Sequence, residues 1–343
     1  MDIVRWGIVG CGNVTEVKSG PALQKANGSA LVAVMRRNGE LARDYAERHG
    51  VPKWYDDGDR LIEDPEVDAV YVATPPSSHM EYVLKAAKAG KPVYVEKPMA
   101  MNEAECKAMI DACEAAKVPL FVAYYRRKQP RFLKVKELID GGAIGDVRMV
   151  TTVQFAPPPR ATASESWRLR PDVGGGGLFP DLASHSLDLL DYLVGPIRDV
   201  LGRASNQGGR YEAEDTVSAA YVFESGAHGV GSWCFEAGFA EDRNEIVGTK
   251  GKITYATFRN DPIRLTTESG TEEWRIDQPQ HVQQPLIQSI VDELRGVGGP
   301  CPSTGRTALR TNRVMDEILK SYYTKVMKMN DLRPWQLVDA GIN

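Results

Sequence analysis

Ile3-Val4-Arg5-Trp6-Gly7-Ile8-Val9 runs directly into Gly10-Cys11-Gly12-Asn13-Val14-Thr15. An apolar, β-rich segment stopped by Gly-x-Gly reads as a strand, a tight turn and the start of a helix. The two glycines permit the turn and let backbone approach a pyrophosphate, and the helix N-terminus offers free N–H groups and partial positive charge. Gly10, Gly12, Asn13 and Val14 are therefore candidate dinucleotide contacts. Thr15 stands where a third small residue is expected, and a purely structural turn remains the other reading of the segment.

Working outward, the pattern repeats. Strands are expected at 3–9, 30–35, 68–74, 92–95 and 120–124, with helices at 13–26, 39–49, 78–89 and 102–117 between them. Asn102 and Glu105 have capping-box spacing. Such alternation predicts a parallel, doubly wound sheet over residues 1–123. From 124 to 343 the texture changes. Helices are expected at 132–140, 180–193, 286–295 and 306–328, and strands at 147–155, 216–223, 229–235 and 252–258. Gly174–Gly177 reads as a flexible loop. The fold class is thus α/β: a Rossmann domain at 1–123, then an α+β domain at 124–343 with a large, mostly antiparallel open-faced sheet, its terminal helices free to pack back on the first domain.

With 343 residues, 42% hydrophobic and 26% charged, the composition is that of an ordinary globular chain of about two domains. A net charge of −4 gives no basic face for nucleic acid. No apolar run reaches the ~18 residues of a membrane helix, and residues 1–9 carry no secretion-signal pattern. The cysteines number five, an odd count, with no C-x-x-C pair, so neither a disulfide framework nor a zinc site is expected. Reduced thiols fit a cytoplasmic protein.

Further motifs sit where strands are expected to end. Val34-Met35-Arg36-Arg37-Asn38 lacks the carboxylate that usually binds a ribose 2′-hydroxyl. Arg36 and Arg37 suit a 2′-phosphate, which favours NADP(H) over NAD(H); two solvated surface charges are the alternative. Ala73-Thr74-Pro75-Pro76-Ser77-Ser78-His79, which also reads as a plain strand-to-helix turn, and Glu96-Lys97-Pro98 fall at the ligand-binding edge of a parallel sheet. A lysine normally titrates near 10.4, so proton exchange near neutrality needs a drop of about 3 units. Glu96-Lys97 taken alone also reads as a surface ion pair. Asp181 and His185 are spaced i, i+4 on a predicted helix, a spacing equally open to a functional pair and a structural one.

In this order and spacing, the motifs resemble the glucose–fructose oxidoreductase/inositol dehydrogenase/rhizopine catabolism (Gfo/Idh/MocA) family. Glu245-Ile246-Val247-Gly248-Thr249-Lys250-Gly251 resembles that family's E-x-x-G-T-x-G turn. The resemblance covers nearly the whole chain. It implies an NAD(P)-dependent oxidoreductase acting on sugars, polyols or their derivatives, with Lys97 as catalytic lysine and an often cis peptide to Pro98. It implies that Asp181 and His185 bind and polarise the substrate oxygen, and that Thr74, Pro75, His79 and Glu96 lie at the cofactor. Trp167-Arg168 resembles a cofactor-contacting motif of the 1,5-anhydrofructose reductase branch. The family's open sheet commonly forms a homodimer or homotetramer interface. The resemblance also leaves room for an NAD-dependent polyol dehydrogenase, a glycosidase that retains NAD, or a non-catalytic NADP-binding regulator. One departure is clear: where some relatives place a cofactor-touching Tyr, this chain reads His281-Val282-Gln283-Gln284-Pro285, and no role is carried over.

Overall fold

The computed structural model describes residues 2–325, so the last residues of the helix expected at 306–328 and of the 124–343 domain lie outside the described residues. The chain divides into two compact units. Among the described residues, the first comprises 2–101, 105–129 and 279–309; the second comprises 102–104, 130–278 and 310–325. The expected contiguous boundary at 123/124 thus differs from the observed division. Its physical reason is the helix Gln284–Arg295, whose Leu286, Ile287, Ile290 and Val291 are fully buried in the first unit's core with Trp6, Ile8 and Tyr94.

The first unit is built on six parallel strands: β1 (Val4–Val9), β2 (Ser29–Met35), β3 (Lys53–Tyr55), β4 (Ala69–Val72), β5 (Val93–Val95) and β6 (Leu120–Val122). They lie in the order β3-β2-β1-β4-β5-β6. Alternation sorts the side chains into two cores. Trp6, Ile8, Tyr71, Tyr94 and Phe121 face one layer, while Val9, Val70, Val72, Val93, Val95 and Val122 face the other. The strand order reverses between β1 and β4, and ligands of such sheets bind outside the carboxyl ends at that point. Sequence reading missed β3 and the six-residue helix Gly58–Glu63: β3 is a three-residue edge strand without the buried apolar run that marks β5 and β6.

The first helix also differs from expectation. It opens at Thr15 with a π turn, Thr15–Ser19, before the α-helix Gly20–Lys25. Pro21 has no N–H to give to the carbonyl four residues back. The Gly20 N–H instead reaches Thr15 O, which also accepts the Tyr45 hydroxyl at 2.8 Å.

The second unit holds eight strands: β7 (Val147–Phe155), β8 (Ile197–Ser205), β9 (Thr216–Phe223), β10 (His228–Cys234), β11 (Glu241–Gly248), β12 (Gly251–Tyr255), β13 (Ile263–Thr267) and β14 (Gly270–Trp274). Their order is β14-β13-β12-β11-β7-β10-β9-β8, antiparallel except for the β7/β10 pair. One face carries the core: Val150, Val217, Tyr221, Trp233, Ile246 and Ile253 pack with Leu187, Leu190, Ile318 and Leu319 from helices. Gly229 and Gly231 leave room on that face for the rings of Tyr221 and Trp233; a Cβ at either would lie 2.1 Å from a ring carbon. The opposite face is a register row running from Leu201 through Ala220, Val230 and Thr151 to Glu245. It is apolar at the β8 end and charged toward β14.

Candidate active site

In the first unit, the turns after β1, β2, β4 and β5 bring the predicted residues to one edge of the sheet. Gly10 has φ +93°, and a Cβ there would lie 2.7 Å from Thr74 Cγ2 and 3.0 Å from Thr74 N. Only glycine fits both the conformation and the approach of the β4 turn. Above Gly12 the space is open, since an added Cβ would meet nothing nearer than Gly10 O at 3.9 Å. Thr15 does not disturb this turn; it is fully buried and closes it, with Oγ1 donating to Gly12 O at 2.8 Å and Gly12 N donating back at 3.0 Å. Asn13 is exposed and Val14 half-buried. The open cradle and the buried, unpartnered Thr74 Oγ1 fit a dinucleotide phosphate at this turn.

Arg36 and Arg37 are exposed at the end of β2. No carboxylate occupies the turn; Asn38 caps the next helix by accepting from Leu41 N at 3.2 Å. Burial pushes the Cys11 thiol up to about 11, which keeps it protonated despite the nearby Arg36 charge.

His79 takes a different place from the one expected. It is fully buried, with Nε2 2.7 Å from Thr74 O and Nδ1 3.1 Å from both Pro98 O and Met99 O. Burial holds its pKa below the ordinary 6.5 against the raising effect of these carbonyls. Both ring nitrogens face protein backbone, so His79 pins the β4 turn to the β5 turn and presents no free nitrogen to a cofactor. Glu96 is turned inward as well. Its Oε1 accepts from the Tyr71 hydroxyl and from Gln283 Nε2, each at 2.6 Å, and its Oε2 accepts from Lys97 N at 3.1 Å. Its carboxylate is thus engaged by protein. Lys97 is half-buried, and the Lys97–Pro98 peptide is cis, as the resemblance implies. Pro75 is half-buried beside Thr74.

In the second unit, Asp181 and His185 lie on one helical run, but not on the uniform α-helix expected. Phe179–Ala183 forms a π turn, followed by the α-helix Ser184–Leu193. Such turns are frequent at functional sites. His185 is buried, its ring meeting Phe258 edge-on at 5.8 Å. Asp181 accepts from Arg168 Nε at 3.2 Å, and the Arg168 guanidinium lies 4.4 Å from the Trp167 ring centre. The four residues Trp167, Arg168, Asp181 and His185 thus belong to one unit, three of them linked. Gly174–Gly177 is packed rather than flexible. All four glycines are buried, Gly177 N donates to Glu214 Oε1 at 2.9 Å, and a Cβ on Gly177 would lie 2.6 Å from Glu214 O. Their lack of side chains serves close approach. Among the described residues no group of His, Cys, Asp and Glu could hold a metal ion, and no helix is long and apolar enough to cross a membrane.

A family profile described as "Oxidoreductase family, NAD-binding Rossmann fold" matches residues 4–124, and the "GFO/IDH/MocA C-terminal domain" profile matches residues 132–254. The chain is similar to "Oxidoreductase P35" of Formosa agariphila, 39% identical over 84% of this chain and 90% of that protein. It is similar to the myo-inositol 2-dehydrogenase of Thermotoga maritima, 33% identical over 78% of this chain and 79% of that one. Among solved structures, a levoglucosan dehydrogenase in complex with NADH and levoglucosan matches with a TM-score of 0.83, 25% identity and coverage of 94% and 97% of the two chains.

Proposed function

Because the chain belongs to the Gfo/Idh/MocA oxidoreductase family, with an NAD-binding Rossmann domain and an activity on CH–OH groups of sugars or polyols, we propose an NADP(H)-dependent enzyme that moves a hydride to or from one carbon of a sugar, a polyol or a sugar-derived ketone. The observation that carries this is Lys97 in the turn after β5, on the same sheet edge as Gly10 and Gly12. In this reading Gly10, Gly12, Asn13, Val14, Thr74 and Pro75 hold the dinucleotide, and the family resemblance adds Trp167 and Arg168 as cofactor contacts. When bound, the nicotinamide supplies or accepts the hydride. Lys97 gives or takes the hydroxyl proton. His185 hydrogen-bonds the substrate oxygen, and Asp181, steadied by Arg168, holds a neighbouring hydroxyl or orients His185.

The preference for NADP(H) rests on the two exposed guanidiniums and the absence of a carboxylate after β2. A charge-assisted hydrogen bond to a 2′-phosphate is worth ~1.5–3 kcal/mol. Thermal melts with NADPH, NADP⁺, NADH and NAD⁺ test it, since ligand at ~100 Kd adds ~2.7 kcal/mol. NADPH is expected to shift the melt far more than NADH, and the Arg36→Ala/Arg37→Ala pair is expected to weaken NADPH binding about 10- to 150-fold while leaving NADH binding unchanged. A shift with NADH alone would replace this reading with an NAD-dependent polyol dehydrogenase.

We also assign the open face of the second sheet to a homodimer or homotetramer. Leu201 is 82% exposed and Val230 39% exposed, flanking Ala220 in one register row. Leu201→Glu is expected to lower the mass measured by light scattering to that of a smaller assembly; an unchanged mass would remove this face from the interface. We infer a cytoplasmic location from the burial of four of the five cysteines as small core side chains, a usage that fits a reducing compartment.

A further inference from the structure

Next to Lys97 in sequence, Glu96 belongs to a hydrogen-bond chain of buried side chains. Gln283, in the stretch to which no role was carried over, is fully buried just before the helix Gln284–Arg295. Its amide nitrogen donates to Glu96 Oε1 at 2.6 Å, and its amide oxygen accepts from the Tyr94 hydroxyl at 2.7 Å. The Tyr71 hydroxyl donates to the same Glu96 oxygen at 2.6 Å. The Tyr71 and Tyr94 rings stack with centres 4.7 Å apart, and neither is exposed to solvent. Burial, reinforced by the Glu96 charge, raises both phenols well above 10, so they stay donors across the working pH range.

Glu96 therefore keeps one fixed orientation, with Oε2 holding the Lys97 backbone N–H at 3.1 Å. A buried carboxylate is a poor choice for stability alone. Its desolvation is costly, and apolar side chains of similar volume often match or exceed the stability of such polar clusters. What this one adds is placement of the peptide from which the Lys97 side chain leaves, and of the carboxyl group in the adjoining residue. We propose that Gln283 and Tyr71 are positioning residues for Lys97, acting through Glu96. This rests on the reading of Lys97 as the residue that moves the proton.

The test uses the full chain with Gln283→Met and Tyr71→Phe, each alone and in a Glu96→Gln background. The readout is the pH dependence of Lys97 acetylation by acetic anhydride, followed by peptide mass spectrometry with the exposed Lys88 as internal reference. It needs neither substrate nor cofactor. Each single variant is expected to move the Lys97 midpoint by at least about half a pH unit and to lower kcat about 10-fold or more, with the Kd for NADPH changed less than about threefold. In the Glu96→Gln background, neither substitution is expected to shift Lys97 further. A Lys97 profile unchanged in both single variants, with only a lower melting temperature, would overturn the proposal, as would shifts that simply add to that of Glu96→Gln. Tyr71→Phe removes one hydroxyl, so it carries the test if Gln283→Met fails to fold. If the wild type binds the dinucleotide but turns over no sugar or polyol, the functional reading fails, and the acetylation profiles still decide the positioning role.

Discussion

Lys97→Met is expected to lower kcat about 10²- to 10⁴-fold, the usual contribution of a positioned general acid or base. The Kd for NADPH, followed by its fluorescence, is expected to stay within a few-fold of the wild type. The reason for this split lies in the local structure. Lys97 is half-buried, and its backbone is fixed by Glu96 Oε2 on one side and on the other by the Pro98 and Met99 carbonyls against His79. Methionine keeps the length and most of the packing of the lysine stem. It removes only the ammonium, so the β5 turn stays in place while the proton loses its carrier. Near-full turnover by Lys97→Met on a substrate of the wild type would remove Lys97 from the mechanism.

Gly10→Val is expected to have an effect as large on binding. The position demands φ +93°, a region where a β-branched side chain is strongly strained. The new Cβ would also press on Thr74 backbone and side chain at 2.7–3.0 Å. Strain and overpacking together cost about 2–5 kcal/mol. Relief of that strain moves the β1 and β4 turns apart, and both line the proposed phosphate cradle. The expectation is a loss of at least about 100-fold in NADPH affinity, equivalent to ~2.7 kcal/mol, with a lower melting temperature. Gly12→Ala makes the informative contrast. Its Cβ points into open space, so the fold is expected to keep its melting temperature while dinucleotide affinity alone falls. Wild-type affinity in both variants would place the dinucleotide elsewhere.

Much of this site was written in local sequence. Gly10-x-Gly12 between a strand and a helix, Thr74-Pro75 and Glu96-Lys97-Pro98 after buried β-branched strands, and Arg36-Arg37 without a carboxylate each lie within a few residues of the element that positions them. A local pattern therefore carries them. The same holds for β9 and β7, whose alternation gives bounds matching the expected ones, Thr216–Phe223 and Val147–Phe155.

Other features depend on partners far along the chain. Gln283 meets Glu96 across 187 positions, and its own neighbours His281 and Gln284 give no hint of it. His79 carries the residue type of a ligand contact, yet its burial and its three carbonyl partners make it a clamp. Gly174–Gly177 has the composition of a flexible loop, but Glu214 packs against it. The π turn at Thr15–Ser19 follows from Pro21 nearby and from Tyr45 thirty positions away.

Hydrophobic periodicity and turn chemistry act over a few residues, so local sequence specifies most of the alternating strands and helices of the first unit, the Gly10-x-Gly12 turn and the Glu96-Lys97-Pro98 loop. Which buried polar groups satisfy one another, and which late helix completes the first core, follows from long-range packing. Hydrogen bonds and packing between distant segments are chosen by the folded backbone's geometry, and local composition does not encode that choice.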